Sequence, residues 1–193
     1  MNDASLEAPL NEIQQDRIAD FCQTVISRHS EQWPLDENTL AEEFLVFFGL
    51  GSLLTFDGIA QLCQDSLRIM VSFASMPTGM RGYNGSYRDK REVLISLSQD
   101  FAGAKLHTLL HELREILESG FEKLGRPIAN RKDSDLEQCA ESFAISVQVC
   151  AAYKIFPIFR VSGAKPSARK CRIRLRQAKY TIWFSGTSAV RSK

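Results

Sequence analysis

The sequence predicts an α+β fold, with N-terminal helices, a small mainly antiparallel sheet and two long helices after it. Three observations carry that prediction. Apolar residues recur at helical spacing up to about residue 65, and again from about residue 104. Between those stretches lie short segments rich in β-branched and aromatic residues, bounded by Pro77, Gly79 and a charged turn. The 193 residues, 44% of them apolar, suffice for one domain with a sizeable core plus an appendage.

In chain order, Pro9, Leu10, Ile13, Ile18, Phe21, Cys22, Val25 and Ile26 predict a first helix over about 9–31, stopping before Trp33-Pro34. A second opens at Asp36 or Asn38 and ends near Gly49-Leu50-Gly51. A third covers about 55–65. Leu67 to Phe73 reads as a strand. Met80 to Tyr87 and Glu92 to Leu97 read as two more, joined as a hairpin through Arg88-Asp89-Lys90-Arg91. Over about 104–119, Leu106, Leu109, Leu110, Leu113, Ile116 and Leu117 form an unbroken apolar stripe, and Ser119-Gly120 is the expected stop. Gly125, Pro127 and Asn130 mark a loop, and Asp133-Ser134-Asp135 caps a last helix over about 135–153. That helix packs through Leu136, Ala140, Phe143, Ala144 and Val147. The expected organisation is an N-terminal helix in 1–30, a main domain over 31–159 and a tail over 160–193.

Charge is unevenly spread. Ten of the 24 Lys and Arg residues, and no Asp or Glu, lie from Arg160 onward, which leaves 14 basic against 23 acidic residues in the body. The five cysteines include no C-x-x-C pair and read as reduced thiols, which predicts a cytoplasmic protein. No apolar run is long enough for a membrane span, and the acidic start lacks the apolar core of a signal peptide.

The chemistry-bearing segment is His111-Glu112-Leu113-Arg114-Glu115. Helical spacing sets His107, His111 and Glu115 in a ladder roughly opposite the leucine stripe, with Glu118 beside it as a surface charge. In H-E-x-x-H peptidases, residues four apart hold zinc and the intervening Glu is the general base. Here the pattern is H-E-x-x-E, with His111 and Glu115 as ligands and Glu112 as base. Carboxylate oxygen is an ordinary zinc ligand, and two carboxylates tilt the preference toward harder ions such as manganese. His107 offers an alternative pair with His111. The third ligand is expected from the last helix, where Glu137 and Glu141 are candidates, and the helical angle favours Glu137.

His107-Thr108-Leu109-Leu110-His111-Glu112-Leu113 resembles the "F-T-L-A-H-E-L-G-H" helix of the ImmA/IrrE metallopeptidases. Arg81-Gly82-Tyr83 with Val93-Leu94-Ile95 is similar to the hairpin before that helix. Glu137-x-x-Ala140-x-x-Phe143-Ala144-x-x-Val147 is similar to the family's "E-x-x-A-x-x-F-A-x-x-L" helix. The resemblance covers about residues 30–155 and implies a minimal zincin-like metallopeptidase that cleaves or regulates a helix-turn-helix repressor. It implies metal held by His111, Glu115 and Glu137, and catalysis by Glu112. The chain departs from the pattern in Glu115 for His, Arg114 for Gly, and Val147-Gln148-Val149-Cys150 for "L-L-M-P".

Two other readings compete. One is a catalytically inactive relative that binds a repressor or other protein through the same cleft. The other is a nucleic-acid-associated protein using the basic tail, where Cys171 to Arg176 alternates like a strand and Tyr180, Trp183 and Phe184 offer stacking surfaces. No recognised nucleic-acid motif accompanies that tail, so a protein substrate is preferred.

Overall fold

Asp16 opens the first helix, α1 (Arg17–Arg28), because its carboxylate accepts from the N–H groups of Ile18 at 3.1 Å and Ala19 at 3.3 Å. These are donors a helix start otherwise leaves without partners. The computed structural model describes residues 16–50, 54–87, 90–128 and 133–155. The predicted helix residues before Asp16, Gly51, the Arg88-Asp89 part of the hairpin turn, Asn130 and the basic tail lie outside the described residues.

A 3₁₀ turn (Ser30–Gln32) leads to α2 (Glu37–Phe47), capped by Asp36, which accepts from Asn38 N at 3.0 Å and Thr39 N at 3.1 Å. Partial burial works against ionisation of Asp36, but the hydrogen bonds from Thr39 and Asn38 outweigh it and hold the carboxyl below its usual range. α3 (Phe56–Leu62), capped by Thr55, runs into one wide π-helical turn (Cys63–Leu67) that closes on Arg68.

The sheet comprises β1 (Ile69–Ala74), β2 (Gly82–Tyr87) and β3 (Lys90–Ser96), in the order β1-β3-β2. β2 and β3 form the predicted antiparallel hairpin, with Asn84 opposite Val93. β1 pairs with β3 in parallel, with Val71 opposite Val93, so the sheet is mixed rather than mainly antiparallel. Burial explains why the last strand is central. Val93 and Ile95 are fully buried, whereas Met70 on β1 and Tyr83 and Tyr87 on β2 are exposed, as suits edges.

α4 (Ala102–Lys123) buries the whole predicted stripe. It does not stop at Ser119-Gly120. A Cβ on Gly120 would come within 2.8 Å of Cys22 Sγ and 3.1 Å of Ile18 Cγ2, so glycine serves close approach of α1 there. The stop falls at Gly125 (φ 70°), where Arg126 N donates to Phe121 O in a Schellman-type closure. α5 (Asp133–Ile155) follows. A first compact unit ends at Ala151. Within it Phe21, Phe44, Phe121 and Phe143 join α1, α2, α4 and α5 through ring pairs 5.6–6.2 Å apart. Among the described residues no helix is long and apolar enough to cross a membrane.

One polar cluster interrupts this core. Arg114, 1% exposed, donates from Nε and Nη2 to the two carboxylate oxygens of Glu37 at 2.9 Å each, and from Nη1 to Glu118 at 2.7 Å. Glu118 also accepts from the backbone N–H of Ile128 at 2.7 Å. Glu118 is therefore an interior anchor and not the surface charge its position beside the ladder suggested. It is drawn inward by the one guanidinium on the buried side of α4.

Truncating one member of a buried ion cluster strands the others, so Arg114→Ala is expected to cost roughly 3–5 kcal/mol of stability by urea denaturation. Arg114→Lys should recover little, because an ammonium cannot bond both Glu37 oxygens at once. At the helix cap, Asp36→Ala should cost about 1 kcal/mol at neutral pH. Since the folded-state pKa of Asp36 is depressed, that difference is present above the ordinary carboxylate pKa. It should fade as pH falls through the folded value, which a pair of pH-dependent melting series checks.

Candidate metal centre

α4 offers its leucine stripe to the core and turns His107, His111 and Glu115 the other way. His111 is half-buried. Its Nε2 lies 3.3 Å from Glu137 Oε2 on α5 and 3.7 Å from Glu115 Oε1 one turn along α4. One potential ligand atom from each of the three residues falls within 4.8 Å of the others. A metal bonded at about 2.1 Å in tetrahedral geometry sets its donors roughly 3.4 Å apart, so the spacing suits an ion. The donor set, one imidazole and two carboxylates, fits zinc and equally the harder manganese ion.

Glu112 points into the fold beside this group and is 7% exposed. Its Oε2 accepts from Asn84 Nδ2 on β2 at 2.7 Å, and the same amide donates to Glu115 Oε2. A single amide thus bridges the two α4 carboxylates and leaves Glu115 Oε1 directed at His111. Burial pushes the Glu112 carboxyl up; the Asn84 bond opposes that and the Glu115 charge adds to it. His111 holds Glu115 below the usual carboxylate range, and Glu115 in turn raises His111 above its ordinary value against partial burial.

β2 can reach the helix because of Gly82. A Cβ there would sit 2.5 Å from both Glu112 Oε1 and Thr108 Cγ2. Thr108 Oγ1 donates to Gln99 Oε1 at 3.0 Å and Gln99 Nε2 donates to Arg81 O at 2.7 Å, which pins the strand's entry to α4. The alternation of β2 then puts Asn84 on the same face as Gly82, over Glu112 and Glu115.

The other predicted candidates lie elsewhere on the same two helices. His107 Nε2 pairs with Glu141 Oε2 at 2.7 Å, and His107 Nδ1 meets Gln148 Nε2 at 3.2 Å. His107 and Glu141 are thus brought to each other, while His111, Glu115 and Glu137 form the group that could hold an ion. Sequence reasoning missed Asn84. Its available signal was a polar residue of low strand propensity in mid-strand, flanked by Tyr83 and Gly85 and on the same strand face as Gly82. No family model, curated protein or solved structure matches the chain.

Replacing Asn84 with Ala leaves two neighbouring carboxylates without their shared donor. Hydrogen bonds to charged groups contribute about 1.5–3 kcal/mol each, so a loss in that range is expected in denaturant unfolding of Asn84→Ala. An unchanged unfolding midpoint would show that the amide bridge contributes nothing.

Proposed function

We propose that the protein is a metal-dependent hydrolase of the metallopeptidase type. The observation that carries this reading is the meeting of His111, Glu115 and Glu137, from two helices, beside a buried Glu112. Zinc or manganese held by those residues would act as a Lewis acid on a scissile carbonyl and make a coordinated water more acidic.

The chain's own residues supply the rest. Glu112, with its pKa raised by burial, accepts a proton from the attacking water and passes it to the departing amine. Asn84 fixes the orientation of that carboxylate relative to Glu115. The edge strand β2 borders one side of the site. The resemblance to the ImmA/IrrE metallopeptidases points to a protein substrate, a helix-turn-helix repressor. A second reading, a protein-binding module without catalysis, is favoured by Glu115 standing where a histidine is usual.

Protein purified without chelator is expected to carry about one zinc or manganese ion per chain by elemental analysis. Glu115→Ala and Glu137→Ala should lose it, whereas Glu141→Ala should retain it. Glu112→Gln should keep the ion and lose peptide cleavage. A chain that takes up neither metal would exclude the hydrolase, and metal uptake with no cleavage of any repressor would support the binding module.

A further inference from the structure

Two polar rungs join α4 to α5, and the His111 group uses one of them. His111 Nε2 meets Glu137 Oε2 at 3.3 Å, and one turn away His107 Nε2 meets Glu141 Oε2 at 2.7 Å. A step of four residues forward on α4 matches a step of four back on α5, so the two helices run antiparallel here. The rungs therefore stand about 6 Å apart, by the helical rise of about 1.5 Å per residue. A slide or roll of α5 that breaks the His107 rung also moves Glu137 relative to His111.

A third side chain fixes the direction of the His107 rung. Gln148, two turns beyond Glu141 on the same face of α5, places Nε2 3.2 Å from His107 Nδ1. An amide nitrogen only donates, so Nδ1 is the acceptor and Nε2 carries the proton that goes to Glu141. Both ring nitrogens are then spent, which accounts for His107 standing outside the ion-holding group although it shares the ladder. Glu137 has the opposite character. Its side chain is 70% exposed, against 16% for His111 and 31% for Glu115, so it is the member of the group that its own packing holds least.

We propose that His107 is a positioning residue for the metal centre: its two hydrogen bonds to α5 set the rotation of that helix and so bring Glu137 to the ion. The inference rests on the reading of His111, Glu115 and Glu137 as metal ligands. His107 touches neither ion nor substrate and acts through α5. Glu141 and Gln148 lie one and three turns beyond Glu137, so one imidazole grips the helix at two levels, which a single contact could not do. Glu141 is 55% exposed, and pairs open to solvent add little to stability. What the rung contributes is orientation, and removing a residue that orients a metal ligand weakens the metal about 10–100-fold.

The test is titration of the full chain, stripped of metal, with Co²⁺, followed by its visible absorption. The parent should bind one ion per chain. His107→Ala should bind it at least tenfold more weakly and with weaker absorption per bound ion, as water takes the place of Glu137 and the coordination opens. Its metal-free melting temperature should stay within a few degrees of the parent. His107→Gln, whose amide can donate to Glu141 and accept from Gln148, should restore most of the lost affinity. Glu141→Ala should still take up one ion per chain, but as weakly as His107→Ala, whereas Glu141→Gln, which keeps an acceptor oxygen, should stay near the parent. The Glu141 pair decides the matter if His107→Ala fails to fold. The inference alone is overturned if the parent binds cobalt and His107→Ala and Glu141→Ala bind it equally well. It is also overturned if His107→Gln is as weak as His107→Ala, or if affinity falls only in variants whose melting temperature collapses. A parent chain that takes up no cobalt, zinc or manganese overturns it together with the metal-dependent reading.

Discussion

The buried guanidinium of Arg114 is the constraint on which the rest of the structure depends. Removing a cation from water costs several kcal/mol, and a second ion rarely offsets that unless the geometry is good and further hydrogen bonds are made. Here Nε, Nη1 and Nη2 all bond, to Glu37 on α2 and Glu118 one turn along α4, and Glu118 reaches on to the backbone at Ile128. The cluster therefore ties α2, α4 and the segment leading toward α5 in one geometry. Arg114 lies three residues after His111 and next to Glu115, so the same bonds set the rotation of α4 about its axis. With the guanidinium held against α2, His111 and Glu115 are turned toward Glu137 and β2. Apolar packing alone would tolerate a small roll of the helix, whereas a bidentate ion pair does not.

A second consequence concerns charge on the opposite side of α4. Glu112, Glu115 and Glu137 would repel one another if left facing a half-buried space, and Glu112 has little water to screen it. Two devices reduce that repulsion. His111 stands between Glu115 and Glu137, and the Asn84 amide is shared by Glu112 and Glu115. The second depends on β2 lying close, which the missing side chain of Gly82 and the Thr108–Gln99–Arg81 hydrogen bonds secure. The carboxylates are thus oriented by the fold itself, before any ligand arrives.

What was legible in the sequence follows from how local each determinant is. The leucine stripe of α4, the cap at Asp36 and the β2–β3 hairpin depend on neighbours in the chain, and local pattern exposes them. The i,i+4 placement of His111 and Glu115 is equally local. The parallel pairing of β1 is not, because strand order is decided by which strand has two apolar faces to hide, a property of the assembled domain. Gly120 misled for a related reason. Its local preference ends helices, but contact with Cys22, 98 positions away in sequence, makes it a packing residue. Glu37 and Asn84 had no local signal tying them to α4. An arginine four residues after Leu110 and three before Leu117 does imply a buried carboxylate partner, yet nothing local names which one.

The carboxylate at 115 changes what such a site can do, and the surroundings answer that change. Two carboxylates and one imidazole would cancel the charge of a divalent ion completely, where two imidazoles and one carboxylate leave one positive charge to act on a carbonyl. An ion so neutralised is the weaker electrophile. Two features of the fold work in the opposite direction. The Asn84 amide donates to Glu115 Oε2, which would make Oε1 a weaker donor to an ion held there. Burial works to raise the Glu112 carboxyl, against the hydrogen bond from Asn84. On the proposed reading, an ion held there would be the weaker electrophile, and Glu112 would take the larger share of activating water. Asn84, which touches both carboxylates, would then set the balance between them.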